Sequence, residues 1–444
     1  MPPILMNMLP RRITAMSRSS NSRTTVFISA TFLLIAGLFS TAGMSRAKDN
    51  AANAAPPAPS ADVVIEWNQK AEAAVVEAKI YPFVGGRTMS LVHVAMFDAI
   101  NSIEGQYSPY KVKVSAPAGS SAEAAGVAAA HAVLVRLFPE QKASLDAAYA
   151  ASLAQIPDGS GKTAGISVGE EVAGKILALR TADGGDAPST YRPSTAPGVY
   201  VPTTMPVASQ WGNVTPWVME RGSQFRPAAP PDLKGAEWAR DYNEVKDLGG
   251  KKSTSRTAQQ TETARFWTVT GPQSWDSLAR QLAGAPGRSL IQNARLFALV
   301  EMAGADAYIS VFDAKYAFNF WRPITAIRNG DIDGNDATTR DAAWEPLLDT
   351  PLHPEYPCAH CITSAAARAV LESEFGTGPV SLTMTSSAVP GVTHKWTSIE
   401  EWANEVSMAR IYGGIHYRNS TVVGKDMGRK IGDLAVKNYL KPAH

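Results

Sequence analysis

The sequence has little cysteine and little charge for its length. Two cysteines in 444 residues exclude a small fold that depends on a framework of disulfides. Charged residues make up 18% of the chain against 45% hydrophobic residues, a balance that excludes an intrinsically disordered protein. The 34 glycines and 30 prolines follow no collagen-like repeat. The chain is therefore long and apolar enough to bury a large core.

The chain also lacks the excess of positive charge that is typical of nucleic-acid-binding proteins. Its formal net charge is +2, but five of the 42 Lys and Arg residues lie in the first 47 positions. The rest of the chain has 37 basic against 40 acidic residues, a net charge close to −3. Such a nearly neutral body gives no reason to expect nucleic acid or a charged membrane surface as a partner.

Acidic residues are absent from positions 1–48. Four arginines between positions 11 and 23 precede an apolar run over 26–39, which ends at small residues before Ala47. This pattern is typical of an export signal, and the run is shorter than the roughly 20 residues of a membrane span. An uncleaved anchor is the alternative. We predict a signal peptide over 1–47, an Ala/Pro-rich tether over 48–62, and a periplasmic or extracellular product.

Sequence patterns typical of β-strands are rare, and patterns typical of helices dominate from residue 63 onward. Apolar residues recur at helical spacing in segments such as 91–100 and 124–138, which predicts an all-α fold over 63–444. The segment from Gly184 to about Leu233 differs, because it is dense in Pro, Gly and aromatic residues. So long an insert without regular structure is usually functional, often as the wall of a pocket. A linker between two domains is the alternative.

Candidate catalytic and binding residues are concentrated in three segments. The first of these segments contains Lys315 and Arg322. Residues seven apart lie on one face of a helix, since two turns take about 7.2 residues. Two cations on this aromatic face need an anion or carboxylates close by. Alternatively, both are surface cations whose stems pack along the aromatic rings.

The second segment runs from His353 to Cys361 and contains two histidines. Pro357 interrupts the preceding chain, which places His360 at or near the N-terminus of the following helix. The unpaired N–H groups and the dipole at such a terminus favour an anion. An imidazole in this position suits acid–base chemistry near neutral pH.

The third segment contains Arg410 and His416. It follows a helix that Ser398 opens, with Glu401 three residues further on as in a capping box. Gly413 and Gly414 then break the helix and let the backbone turn. This break in the helix would place Arg410 and His416 on the same side of a pocket, as an oxyanion site requires.

Together, the three segments resemble the shared site of the vanadium-dependent haloperoxidases and the acid phosphatases related to type 2 phosphatidic acid phosphatase. That pattern is Lys, six residues, Arg-Pro; then Pro-Ser-Gly-His; then Ser-Arg, three residues, Gly, one residue, His, three residues, Asp. The resemblance covers most of residues 63–440 and includes upstream segments such as 93–101 and 224–227. It implies two four-helix-bundle-like halves packed as one compact unit beside the Pro/Gly-rich insert, with residues of about 290–440 carrying the site.

The resemblance also implies a role for each matching residue. His416 would bind vanadium or take a phosphoryl group, and His360 would be the acid–base group. The oxyanion would be bound by five residues, namely Lys315, Arg322, Cys358, Ala359 and Arg410. His353 and Trp321 would lie at the pocket edge.

Four positions depart from the family pattern, and they predict a weaker site. Cys358 replaces a serine, and a thiol is a poorer hydrogen-bond donor than a hydroxyl. Ala359 replaces a glycine, and Ala409 replaces another serine. Ser420 replaces the aspartate expected to help hold the histidine ligand, so His416 is expected to be less well oriented and less basic.

The two cysteines form a Cys-x-x-Cys motif around His360. A local disulfide between Cys358 and Cys361 is the favoured interpretation, either stiffening the loop or acting as a redox switch. A dithiol oxidoreductase is less favoured, because the β-α-β pattern of a thioredoxin-like domain is missing. A zinc site lacks a second ligand pair of familiar spacing.

The predicted function is a secreted vanadate-dependent haloperoxidase that oxidises halide with hydrogen peroxide. An acid phosphatase acting on phosphomonoesters or lipid phosphates through the same site is the alternative, and a degenerate oxyanion-binding protein is the third. The expected cofactor is vanadate, or phosphate in the same site, without nucleotide or haem. The expected partners are small molecules: peroxide, halide, and an organic acceptor or a phosphate ester. Self-association into a homo-oligomer stays open.

Overall fold

Helices account for most of residues 62–443, the part of the chain that the computed structural model describes. They are α1 (Val63–Glu77), α2 (Pro82–Glu104), α3 (Ala122–Leu137), α4 (Lys142–Ala154), α5 (Ser160–Leu179), α6 (Ala236–Gly249), α7 (Ala258–Phe266), α8 (Asp276–Ala283), α9 (Leu290–Phe318), α10 (Pro323–Arg328), α11 (Ala359–Phe375), α12 (Ile399–Tyr412) and α13 (Arg418–Asn438). The sequence did not predict the antiparallel hairpin of β1 (Leu382–Thr385) and β2 (Thr393–Trp396). The all-α class is confirmed. The predicted signal peptide and residues 48–61 of the tether lie outside the described residues.

The helices form two bundles that pack against each other. Helices α1 to α5 make the first, in which α3 contacts α1, α2, α4 and α5. Helices α9, α11, α12 and α13 make the second, and α2 packs along α9 to join the two. This arrangement confirms the two helical halves within one unit. Within residues 62–443, no single helix is both long enough and apolar enough to span a membrane. Two consecutive helical segments within residues 122–154, with a sharp bend between them, meet these requirements only when they are taken together and only by length and composition.

Helix α9 carries Lys315 in its last turn, and its ends are well defined. A capping box opens it, since Ser289 and Gln292 each bond the backbone N–H of the other. The helix ends at Asn319, which adopts a left-handed conformation with φ of 48°. Arg322 therefore lies beyond α9, where it is the N-cap of α10. The prediction that Lys315 and Arg322 share a helical face is wrong, because the turn at Asn319 ends the helix between them.

The close packing of α11 on α13 brings the two segments with the predicted catalytic histidines together. Small residues recur every fourth position of α13, at Gly424, Gly428 and Gly432. A Cβ atom at Gly428 would lie 2.1 Å from the carbonyl oxygen of Ile362 in α11. Only glycine permits so close an approach of the two backbones. The N-terminal ends of both helices thus meet at the site.

The turn after α12 directs the chain toward the site. Ser398 caps the helix, because its hydroxyl oxygen accepts the N–H of Glu401 at 3.0 Å. The Glu401 carboxylate accepts the backbone N–H of Thr397 rather than that of Ser398. The helix ends at Tyr412, as the two glycines predicted. Gly414 has φ of +74°, and a Cβ atom there would lie 2.3 Å from the carbonyl oxygen of Gly249. Glycine is therefore required at this turn.

The Pro/Gly-rich insert of residues 184–233 packs against the long helix α9. Both oxygens of the Asp306 carboxylate accept backbone N–H groups from residues 217–219, at 2.7 to 2.8 Å. Arg226 forms a two-pronged bond with Asp313 at 2.8 and 2.7 Å. Val207 of the insert lines the cavity described below. The linker alternative is wrong, because the insert is anchored on the bundle and reaches the pocket.

A pair of carboxyl groups is buried far from the predicted site. Asp276 of α8 and Glu301 of α9 are both fully buried. Trp275 donates its Nε1–H to Glu301 at 3.0 Å, and neither oxygen of Asp276 accepts a hydrogen bond from a described residue. Burial raises the pKa of Glu301 to about 7, and burial and the neighbouring Glu301 raise the pKa of Asp276 well above its usual range. The pair therefore holds protons that the unfolded chain would release.

This pair predicts a fall in stability as pH rises. A raised folded-state pKa stabilises the fold below the unfolded pKa, and the gain is lost as pH rises through about 7. Between pH 5 and pH 8, the free energy of unfolding should decrease less in Glu301→Gln than in wild type. We expect the two decreases to differ by on the order of 3 kcal/mol. Urea unfolding at both pH values measures it. Glu77→Gln, at an exposed helical position, is the control, and parallel curves for wild type and Glu301→Gln would contradict the prediction.

Candidate active site

A cavity of about 230 Å³ lies where the two bundles and the insert meet. Its wall includes the start of α2, the C-terminal half of α9 and the first two residues of α11. Three histidines line it, namely His353, His360 and His416. The structure thus brings the histidines of the second and third sequence segments to one cavity, and it places His353 at the cavity as expected.

His416 is oriented by a carboxylate that the sequence analysis missed. Its Nδ1 lies 2.7 Å from Oε1 of Glu355, and the same oxygen accepts the N–H of Tyr417 at 3.1 Å. With Nδ1–H donated to the carboxylate, Nε2 keeps its lone pair. The expected loss of orientation at His416 therefore does not occur, because Glu355 replaces the missing aspartate and the Ser420 hydroxyl faces the same carboxyl.

Burial controls the charge states of this buried pair. Burial raises the pKa of Glu355 to about 7, against the opposing effects of Lys315, Arg322, the Tyr417 N–H and the Ser420 hydroxyl. Burial and then the positive charges of Arg322, Lys315 and Arg410 hold the pKa of His416 well below its usual range. The His416 imidazole is therefore neutral at pH 7, the form that can act as a ligand or a nucleophile.

Arg322 links the loops that carry His353 and His416. Its Nε donates to the carbonyl of His353 at 2.9 Å, and its Nη1 donates to the carbonyl of Ile415 at 2.8 Å. Nη2 lies 2.9 Å from Nδ1 of His353, and Nη1 lies 3.3 Å from Nε2 of His416. Burial lowers the pKa of Arg322 to about 10. Its guanidinium is thus charged at neutral pH, and Nη1 donates a hydrogen bond to the Nε2 lone pair of His416.

Lys315 holds the loop that precedes His360. Its buried ammonium donates to the carbonyls of Pro354, Glu355 and Pro357, at 2.9, 2.8 and 2.6 Å. An ammonium has three hydrogens, so these three carbonyls account for all of them. Burial and then Arg322 hold the pKa of Lys315 well below its usual range, and Glu355 opposes this shift. The three carbonyl acceptors favour the ammonium form, so Lys315 orders the loop as a cation, and its direct contact with an oxyanion stays a prediction.

Arg410 and His360 each have a buried nitrogen without a hydrogen-bond partner. Arg410 lies in the last turn of α12 and donates Nη1–H to the carbonyl of Trp267, while Nε has no partner among the described residues. His360 is the second residue of α11, as predicted, and its Nε2 also lacks a described partner. Burial and then the Arg410 charge hold the pKa of His360 well below its usual range, and the contact with the Val269 carbonyl opposes this shift.

Cys358 and Ala359 form the N-terminal end of α11. Cys358 is the N-cap, and its Sγ accepts the N–H of Cys361 at 3.3 Å. The structure joins the two cysteines in a disulfide, with Cα atoms 5.4 Å apart. In this state Cys358 has no thiol hydrogen to donate to an oxyanion. Ala359 lines the cavity and has no positive φ, so the replacement of glycine causes no strain here.

We expect Cys358→Ser to tighten vanadate binding. A serine at the N-cap would still accept the N–H of residue 361, and its hydroxyl would restore the donor that the disulfide removes. Calorimetric titration of phosphate-free protein with vanadate measures the change. Cys361→Ser is the matched control, because it also removes the disulfide but supplies no hydroxyl at position 358. Weaker binding by Cys358→Ser would instead indicate that the disulfide is required.

Trp321 lies behind the site rather than at its edge. The side chain is buried and stacks on Trp238, with ring centroids 5.8 Å apart and an interplanar angle of 21°. Its backbone N–H donates to the carbonyl of Gly198 at 3.0 Å. This extended segment directs the indole into an aromatic cluster that also contains Tyr417. The predicted position at the pocket edge is therefore wrong, and the cluster supports the His416 loop from behind.

The site has the charge balance of an oxyanion site. Lys315, Arg322 and Arg410 are buried, and none of them forms an ion pair with a carboxylate of residues 62–443. The buried carboxylate among them, Glu355, is bonded to His416. Buried cations without counter-charges are costly, and an anion beside the unpartnered Nε of Arg410 would offset that cost. Residues 62–443 contain no group of three His, Cys, Asp or Glu side chains suited to a metal cation. The residues present therefore fit an oxyanion such as vanadate or phosphate, and the role of His416 as its ligand stays a prediction.

Fold and site together define a two-bundle helical protein with three buried cations near a cavity that three histidines line. Residues 295–443 match the family model of the VCPO second helical-bundle domain. The vanadium chloroperoxidase of Curvularia inaequalis is 27% identical over 256 residues, which cover 46% of this chain and 42% of that protein. The aligned part thus spans less than half the length of that relative.

Two solved structures share the fold over most of the chain. A bacterial vanadium-dependent iodoperoxidase is 24% identical with a TM-score of 0.74, and the match covers 86% of this chain and 97% of that one. A holo-type bacterial vanadium-dependent chloroperoxidase is 17% identical with a TM-score of 0.68, covering 83% and 95%. These findings confirm the predicted relationship: the chain shares the fold of vanadium-dependent haloperoxidases, and its C-terminal bundle matches the family model of their second helical-bundle domain.

Proposed function

We propose that this protein is an exported, vanadate-dependent haloperoxidase that oxidises halide with hydrogen peroxide. The observation that carries the proposal is the cluster of three buried cations near His416, whose Nδ1 is held by Glu355 and whose Nε2 contacts only Arg322 among the described residues. Export rests on the N-terminal sequence pattern. The overall reaction converts halide, hydrogen peroxide and a proton into hypohalous acid and water.

Bound vanadate would supply Lewis-acid activation of the peroxide without a change in its own oxidation state. His416 would hold it through Nε2, with Nδ1–H kept on Glu355. Arg322 and Arg410 would neutralise and orient the oxyanion through their guanidinium groups. Lys315 would keep the loop of residues 354–357 in place and contribute its charge.

His360 would move the proton in this reaction. Its Nε2 has no partner among the described residues, and burial and Arg410 keep the imidazole neutral. A neutral imidazole can accept a proton from hydrogen peroxide at Nε2 and return it to the leaving oxygen.

The acid phosphatase alternative retains one specific observation in its favour. His416 is a neutral imidazole oriented by a carboxylate, which is the arrangement of an activated nucleophile. The same three cations would bind a phosphate ester as readily as vanadate. Vanadate would then act as an inhibitor rather than as a cofactor.

A paired assay on purified, phosphate-free mature protein separates these functions. One arm adds vanadate, hydrogen peroxide and bromide with a dye acceptor, and the other adds a chromogenic phosphate ester without vanadate. Halogenation that requires vanadate and is blocked by phosphate supports the haloperoxidase. Ester hydrolysis that vanadate inhibits supports the phosphatase. Inactivity in both arms would indicate a degenerate oxyanion-binding protein.

A further inference from the structure

A short segment after α7 offers backbone carbonyls to two groups of the site. The carbonyl of Trp267 accepts Nη1–H of Arg410, and the carbonyl of Val269 contacts the imidazole of His360. The next residue, Thr270, lines the cavity. Segment 267–269 therefore influences the direction of a buried cation and of the predicted acid–base histidine at once.

Arg410 depends on this segment for its alignment. Burial and then the charge of Arg322 lower the pKa of Arg410 to about 9, so its guanidinium is charged at neutral pH. The Trp267 carbonyl is the one hydrogen-bond partner of this guanidinium among the described residues, and Nε has none there. Because a guanidinium presents its donors in a fixed plane, a movement of the Trp267 backbone would redirect all of them.

Glu405 fixes Trp267 from its other end. The Trp267 side chain is fully buried, and its Nε1–H donates to Oε1 of Glu405 at 2.8 Å. Glu405 and Arg410 both belong to α12, so one helix binds this residue through its indole and through its carbonyl. A buried N–H without an acceptor costs free energy. The carboxylate therefore keeps the indole, and with it the Trp267 backbone, in one position.

The β-hairpin holds the carboxylate and the end of α7 together. Nδ1 of His394 lies 2.7 Å from Oε1 of Glu405, and Trp396 donates its Nε1–H to Oε2 at 3.1 Å. The His394 ring stacks on Phe266, with centroids 3.9 Å apart, and the Ser386 hydroxyl donates to the Phe266 carbonyl at 2.8 Å. Neither the hairpin nor Glu405 is among the described residues that line the cavity. Their influence on the site therefore passes through segment 266–269.

We propose that Glu405 is a positioning residue of the oxyanion site, which acts through Trp267 on the direction of Arg410. Its influence extends to His360 through the Val269 carbonyl. The inference deepens the proposed function and rests on it for the identity of the bound anion. A direct effect of the negative charge of Glu405 and a contribution to stability alone are the two alternatives that the experiment must separate.

Calorimetric titration of vanadate-free protein with vanadate tests the inference without turnover. We expect Glu405→Ala to weaken vanadate binding about tenfold, at the lower end of the usual cost of losing a group that orients a ligand. Glu405→Gln should regain most of that affinity, because its amide oxygen can accept the indole N–H of Trp267. Glu400→Ala is the matched control, since it removes an exposed carboxylate from the same helix that pairs with Arg368 instead.

The direction of the change separates position from charge. Loss of a negative charge would by itself favour a bound anion, so a direct effect of charge predicts tighter binding in both Glu405 variants. In Trp267→Phe, which keeps the carbonyl but lacks the indole N–H, Glu405→Ala should cost little further affinity. Tighter or unchanged binding by Glu405→Ala, an equal loss in both backgrounds, or a Glu405→Gln as weak as Glu405→Ala would overturn the inference.

An NMR measurement tests the same role without any anion. In protein that contains ¹⁵N-labelled arginine, the Nε–H signal of Arg410 is assigned by its loss in Arg410→Lys. We expect this signal to shift in Glu405→Ala, to return in Glu405→Gln, and to stay unaltered in Glu400→Ala. An unaltered signal in Glu405→Ala would overturn the positioning role. The expected shift in a protein that binds neither vanadate nor phosphate would overturn the proposed function and support the positioning role.

Discussion

Replacement of His416 with alanine is expected to abolish vanadate-dependent halide oxidation. Glu355 holds Nδ1 of His416 and leaves the Nε2 lone pair toward Arg322, one of the three buried cations. The phosphatase alternative needs the same imidazole as its nucleophile, so its activity would be lost too. The measurement is bromide oxidation at saturating vanadate, together with calorimetric titration of vanadate to show that the loss is one of binding.

A second histidine–carboxylate pair provides a matched control for this variant. His131 of α3 lies 2.9 Å from a carboxylate oxygen of Asp146 and stacks on Tyr149. His131→Ala removes the same number of atoms from a similar pair in the other bundle, outside the cavity lining. We expect it to keep vanadate binding and turnover. Unchanged turnover in His416→Ala would remove the site assignment altogether.

The parts of the site that could be predicted from the sequence depend on local signals. Pro357 before a helical segment predicted that His360 lies at a helix N-terminus, and α11 begins at Ala359. Gly413 and Gly414 predicted the end of α12, which the structure confirms. Proline and glycine act within one or two residues of their own positions, so their effects can be read without knowledge of the fold.

The parts that could not be predicted depend on contacts between distant segments. The spacing of Lys315 and Arg322 suggested a shared helical face, but Asn319 turns the chain between them. Asparagine is a common helix-ending residue in the left-handed conformation, so this turn carried a local signal that was not used. Trp321 was placed at the pocket edge, whereas its backbone bond to Gly198, more than a hundred residues earlier, directs the indole into the interior. The error at Trp321 comes from tertiary structure that overrides a local pattern.

Two further features carried sequence signals that were not used. Gly424, Gly428 and Gly432 recur at a spacing of four, which is typical of a helix face that approaches another backbone closely. The contact of this face with α11 joins the segments of His360 and His416. Glu355 stands one residue after Pro354 and two before Pro357. A carboxylate in so apolar and aromatic a segment needs a partner, and that partner is His416.

Glu355→Ala is expected to weaken vanadate binding by about 10- to 100-fold, the usual cost of losing a group that orients a ligand. Glu355 accepts Nδ1–H of His416 at 2.7 Å and the N–H of Tyr417 at 3.1 Å. Without the carboxylate, the imidazole can rotate or present the wrong nitrogen to the site. Calorimetric titration with vanadate and the rate of bromide oxidation measure the loss.

The family pattern offers a rescue that a merely structural role of Glu355 would not allow. The pattern places an aspartate at position 420, where this chain has a serine whose hydroxyl faces the Glu355 carboxyl. Glu355→Ala combined with Ser420→Asp should therefore regain much of the lost vanadate affinity, because the new carboxylate can reach His416 from the start of α13. Ser420→Asp alone should weaken binding, since two buried carboxylates would then oppose each other. A double-mutant cycle gives the coupling between the two positions. If the double variant binds vanadate no better than Glu355→Ala, then Glu355 acts through its bond to the Tyr417 N–H rather than by orienting His416.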